Sequence, residues 1–168
     1  MKAARVILAV VVALALQTTL ARFLMRDTFA VDLVLVVVVY VALRSGPVVG
    51  MFTGTFAGLL QDGLSSGIIG IGGLAKTIVG FLVGIIGTQF IVAQPLPRFV
   101  VFLGASLLHA AVFMGLYGLL DLRHFGTPYA AAAEQAVGNA AVGLVAFQLV
   151  ELLPGAVERR AQRTRIKR

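Results

Sequence analysis

The 168-residue chain has no cysteine and no tryptophan. Without a thiol it forms no disulfide, no cysteine nucleophile and no cysteine-ligated metal or iron–sulfur centre. Its two histidines, His109 and His124, are too few for a histidine-rich site. Charged residues are scarce as well, at 12% against about 25% in an ordinary soluble domain, too few to clothe a solvated surface. The chain holds no Ser/His/Asp set, no HExxH and no phosphate loop, and GIGG at 70–73 is only a fragment of a glycine-rich loop. No catalytic residue, cofactor site or metal site is expected.

What remains is apolar. Hydrophobic residues make up 60% of the chain and the mean hydropathy is +1.00, the composition of a membrane protein. The net charge of +7 would suggest nucleic acid if its lysines and arginines formed a patch, but six of them fall in RRAQRTRIKR at 159–168. A short basic tail after an apolar segment reads as a cytoplasmic flank against anionic lipid, with no nucleic-acid partner.

A helix needs about 20 mostly apolar residues to cross the hydrocarbon. On that ruler, residues 1–158 divide into six spans, at about 6–23, 28–43, 48–61, 69–92, 99–120 and 129–153. Turn signals separate them: SGP at 45–47, DGLSSG at 62–67, QPLP at 94–97 and FGTP at 125–128. The second span, with LVLVVVVYVAL, is β-branched enough for a strand in water, but an isolated strand cannot satisfy its backbone in lipid, so a helix is predicted. The first span has the basic start and apolar run of a cleaved signal peptide, with TLA at 19–21 as a weak cleavage site. Its length, and Arg22 at the end that would be cut, favour an uncleaved anchor. The expected fold is an all-α integral membrane protein, a six-transmembrane-helix bundle, with 159–168 as a basic cytoplasmic tail.

Basic residues orient such a bundle. With the N-terminus inside, Lys2, Arg5, Arg44, Arg98 and the tail lie in the cytoplasm, while Arg22, Arg26 and Arg123 lie outside. Both termini are therefore expected in the cytoplasm.

In lipid the hydrophobic effect does not drive helix against helix, and small residues that let backbones approach take its place. Gly46, Gly50, Gly54 and Gly58 recur at a spacing of four, which lays a smooth stripe along the third span. Gly80, Gly84 and Gly115, and AAAAEQAVGNAAVG at 130–143, offer similar faces. Close packing within the bundle is the simpler use of these faces, and a groove for a partner helix is the alternative.

Five polar residues fall within or at the ends of the spans. Asp62 ends the third span, with Gly63 available as a left-handed cap and Ser65 or Ser66 available to cap the fourth. Lys76 falls about 10 Å into the fourth span, a depth at which an unpaired charge is expensive. Three readings are open for it: snorkelling to the outer interface, an ion pair with Asp62 or Glu134, or a part in ligand binding. Asn139, near the middle of the sixth span, must bond inward, and His109 in the fifth span is a candidate partner; a structural clamp is the expected role, with proton relay as the alternative.

The stretch GLLQDGLSSGIIGIGGLAKTIVGFLVG at 58–84 resembles the hairpin of the MreD family, rod shape-determining membrane proteins of bacteria. In that hairpin Gly-Leu-x-x-Asp, a Ser/Gly turn, Leu-Gly and a Thr/Ser-bearing helix recur. Asn139 with Gly143 in GNAAVGL is similar to the family's late-helix Asn followed by a small residue, and length, short loops and the basic C-terminus fit along the whole chain. Leu144 stands where the family often has proline, and Lys76 where charge is not a constant feature.

The resemblance implies a non-enzymatic component of the cell-elongation machinery in the bacterial inner (plasma) membrane. Its expected partners are MreC, RodA and a class B penicillin-binding transpeptidase, with MreB reached indirectly, in lateral peptidoglycan synthesis. It also implies a fold similar to the six-helix S-components of energy-coupling-factor vitamin transporters. That second likeness supplies an alternative function, a solute-binding subunit with an outward pocket near Asp62, Lys76 and Glu134.

Overall fold

A computed structural model describes the backbone at residues 3–24, 31–65, 68–90, 94–121 and 128–166, and the side chains there except at 21–24, 128 and 152–166. Six helices succeed one another: α1 (Ala3–Leu24), α2 (Leu33–Ser45), α3 (Pro47–Leu64), α4 (Ile71–Gln89), α5 (Pro95–Leu119) and α6 (Pro128–Ile166). Among the described residues there is no strand. Windows in α1, α4, α5 and α6 are long and apolar enough to cross a membrane, and α2 is a shorter apolar helix.

The six expected segments are the six helices, with shifted ends that have local causes. The second segment is expected from Thr28, which lies outside the described residues; the helix starts at Leu33 because Asp32 caps it, Oδ1 accepting from the Leu35 N–H at 2.9 Å. The fifth starts at Pro95 instead of Phe99, since a proline in the first turn gives up no helical hydrogen bond and its fixed φ suits the helix. The backbone of the sixth stays helical through Ile166, past Leu153 and into the basic stretch. The basic side chains of the tail, with Lys2, Arg22, Arg26 and Arg123, lie outside the described residues.

Short α2 is the centre of the bundle. Val34, Leu35, Val38, Val39, Val41 and Ala42 are each no more than 1% exposed, because α2 packs against all five other helices. A helix apolar on every side is one that neighbours surround. Burial of these branched side chains thus overrides the strand preference of the valine run. On one side Val10 and Leu14 of α1 cover Val34 and Val38; on the other, Val79 and Val83 of α4, Phe102 of α5 and Phe147 of α6 complete the larger core.

The closest helix pair is α3 with α4, and its glycines are the reason. A Cβ on Gly50 would strike the Gly80 carbonyl, one on Gly54 the Lys76 carbonyl, and one on Gly58 the backbone of Gly73. The reverse holds on α4, where Gly80 faces Gly50 and Gly84 faces Pro47. Two backbones touch along this seam, and the Thr55 and Thr77 hydroxyls bond across it at 2.7 Å.

Gly46 has a different task from the other three. It alone connects α2 to α3, at φ 86°, capping one helix and opening the next ahead of Pro47, a backbone state that glycine adopts without strain. Gly115 also departs from expectation: a Cβ there meets nothing within 4 Å, so it belongs to no packed seam. In the 130–143 stretch the packed positions are Ala136, Gly138, Asn139, Ala140 and Gly143, with Gly138 against Val31 and Gly143 against the Phe102 ring.

Candidate functional site: a buried polar cluster and an adjoining cavity

Lys76 lies on the α4 face turned toward α2 and α5, and its side chain is 3% exposed. Its ammonium is 2.8 Å from Asp32 Oδ2 and 3.2 Å from His109 Nε2. An ammonium has only donors, so Nε2 accepts and the ring proton sits on Nδ1. Snorkelling is thereby excluded, and an ion pair is present, with Asp32 as partner in place of Asp62 or Glu134.

Asp32 is held from two more directions. Its Oδ1 caps α2, and its own N–H donates to Asn139 Oδ1 at 2.8 Å. The Asn139 amide nitrogen in turn donates to Ser106 Oγ at 3.1 Å. His109 and Asn139 thus belong to the same cluster without bonding each other: His109 takes Lys76, and Asn139 takes Asp32 and Ser106. Together these groups tie α2, α4, α5 and α6 at one level. Such a cluster is worth having only when every member is satisfied, since an unpaired buried charge costs several kcal/mol and an unpaired amide about 1–3 kcal/mol.

Asp62 is not part of this cluster. Its Oδ2 accepts from the N–H groups of Gly70 at 2.9 Å and Gly73 at 3.0 Å, so a carboxylate from the end of α3 caps the start of α4. The bare amides and the positive end of the helix dipole both favour a negative charge there. Gly70 is left-handed at φ 108°, and a Cβ on Gly72 would strike Asp62 Oδ1; the GIGG run is therefore the shape of this cap. Gly63 does not cap α3, which runs on to Leu64 and ends at an extended Ser65. Ser65 bonds back to the Gln61 carbonyl instead of capping α4, and Ser66 lies outside the described residues. Glu134 is exposed on α6 and makes no ion pair with Lys76.

At the opposite end of the bundle lies a second ionic group that the sequence pattern does not announce. Arg98, in the first turn of α5, forms a two-pronged pair with Glu151 of α6 at 2.8 and 2.9 Å, lies over the Phe147 ring at 4.0 Å, and leaves Arg44 of α2 3.8 Å from the same carboxylate. The signal for Arg98 is faint, one base after two prolines. That for Asp32 is stronger: an N-capping aspartate just before an apolar run is an ordinary helix-start signature.

Between the cluster and the Asp62 end lies a cavity of about 360 Å³. Asp32 and His109 reach it from the buried side, and Gln61, Asp62, Phe113 and Tyr117 border it further out. His109, Phe113 and Tyr117, one turn apart on α5, form a ring column with centroids 5.8 and 4.8 Å apart.

Helices that cross a membrane, joined by short connections and locked by internally paired charges, define a multi-pass membrane protein. The chain belongs to the MreD family: the family model for rod shape-determining protein MreD matches residues 2–153. That membership carries a role in determining rod cell shape and places the chain in a family of shape-determining proteins, not a known enzyme family. No curated protein and no solved structure matches it.

Proposed function

We propose that this protein is a non-enzymatic scaffold of the elongation machinery that binds MreC in the inner membrane, with both termini in the cytoplasm, and through it works with RodA and a class B penicillin-binding transpeptidase, MreB being reached indirectly. Family membership supports the setting. The observation that carries the scaffold reading is the use made of the buried ionisable groups. Lys76 bonds both Asp32 and His109, and Asp62 commits Oδ2 to a helix cap. Groups so committed serve rigidity and are poorly placed to pass through a reaction cycle. A rigid bundle suits the docking of a single-helix partner, which gains affinity when one surface is ordered beforehand. Co-expression of the tagged chain with MreC and purification in mild detergent tests this: the two are expected to elute together, and separate elution overturns the reading.

The cavity favours a second reading, a solute-binding subunit of an energy-coupling-factor-type transporter. Its volume of about 360 Å³ falls within the range of about 300–1,000 Å³ for small-molecule sites. A pull-down from native membranes separates the two: MreC with wall synthases supports the scaffold, and an energy-coupling ATPase module supports the transporter.

A further inference from the structure

The cavity at the Asp62 end has a chemistry of its own. Gln61 Oε1 is buried and accepts no hydrogen bond. Asp62 spends Oδ2 on two amides, while Oδ1 accepts nothing among the described residues. Gln135 of α6 faces the same space and is likewise unbonded among the described residues. Acceptors thus stand ready on two sides, and for the buried Gln61 Oε1 the missing donor is a cost that a ligand can remove.

Charge points the same way. Among the described residues no lysine or arginine borders the cavity, whereas two carboxylates do. Asp32 is neutralised by Lys76 behind it; Asp62 has only backbone amides as counterparts among the described residues. The third element is the ring column, whose Phe113 and Tyr117 form one wall, and aromatic faces attract cations. Met114 and Ala132 complete an apolar lining.

We propose that this cavity binds an ammonium group carried on a small apolar body, with the ammonium between Gln61 and Asp62 and the apolar part against Phe113 and Tyr117. The ammonium can come from a free amine or from the aminoethyl headgroup of a phospholipid. The proposal goes beyond docking of a protein partner and does not need it.

The test uses the full chain in nanodiscs of phosphatidylglycerol alone, titrated with phenethylamine by saturation-transfer NMR, with phenylacetate as an anion of matching size. Saturable binding of the amine and not of the anion is expected. Ala132→Phe, which fills the cavity, should abolish it, and Asp62→Asn should weaken it about tenfold. Gln148→Ala, exposed on α6 and away from the cavity, should leave it unchanged. Circular dichroism reports folding of each variant; where Asp62→Asn disturbs the α4 cap, Gln61→Leu removes an acceptor without touching that cap and should also weaken binding. In nanodiscs that mix phosphatidylethanolamine with phosphatidylglycerol, native mass spectrometry should recover the amine lipid preferentially if the headgroup is the natural source. Wild type should then show a preference that Ala132→Phe loses; amine binding without any lipid preference assigns the site to a free amine. Absence of both, equal binding of the anion, or binding that survives Ala132→Phe overturns the proposal.

Discussion

Lys76 and Asp32 show how a single charge can be retained among apolar helices. The pair is 3% and 5% exposed, so neither partner can be removed without stranding the other. Lys76→Met is expected to destabilise the bundle by about 3–5 kcal/mol, because a buried carboxylate is left without its cation. Adding Asp32→Asn should recover much of that loss, since the asparagine oxygen still accepts from Leu35 and α2 keeps its cap. Thermal unfolding of the two single variants and the double variant in one detergent measures the coupling; a double variant as unstable as the sum of its parts would show that the pair has another role. Asn139→Leu, by comparison, should cost only about 0.6–2 kcal/mol, the usual scale of a hydrogen bond between membrane helices. A loss larger than that of Lys76→Met would place the centre of the cluster at Asn139.

Among the elements, the α3–α4 seam depends most on what is missing from its side chains. A methyl at Gly54 lies against the Lys76 backbone, which cannot move without parting the helices. Gly54→Ala should therefore destabilise by about 1–3 kcal/mol. Gly115→Ala is the contrasting case: with open space around it, the substitution should be neutral or stabilise by up to about 1 kcal/mol through helix propensity alone. Melting temperatures of the two variants measured side by side should move in opposite directions or differ clearly in size. Equal losses would mean that glycine at these positions acts through backbone freedom and not through contact.

For the whole molecule, the arrangement makes the two ends of the bundle unlike. One end carries the cavity and the Asp62 cap; the other is tied by Arg98, Glu151 and Arg44 across α5, α6 and α2. In the proposed orientation the cavity end faces outward. The chain has no cysteine, so orientation is open to a clean measurement with single introduced thiols. Ser65→Cys, at the exposed end of α3, should react with a membrane-impermeant maleimide on intact spheroplasts, and Gln94→Cys, just before α5, should react only after permeabilisation. The reverse pattern would invert the bundle and turn the cavity toward the cytoplasm.

Apolar run length and punctuation by Gly, Pro and Ser were enough to lay out six helices, because in lipid the backbone must satisfy itself within each segment. The same logic made the spacing of Gly50, Gly54 and Gly58 legible as a packing seam: period four places them on one face whatever lies opposite. Hairpin residues 58–84 were enough to indicate the family. What the linear order could not express is which polar groups meet. Asp62 is nearer than Asp32 to Lys76 in sequence and lies in the last turn of the neighbouring helix α3, yet its carboxylate is drawn to the free amides of Gly70 and Gly73, the stronger local demand. Asp32, 44 positions before Lys76 in the chain, reaches it because the short α2 begins deep in the bundle, at the level where α4, α5 and α6 converge. Pairing of buried charges depends on depth and on which groups nearer helix ends have already claimed, and only the packed bundle decides both.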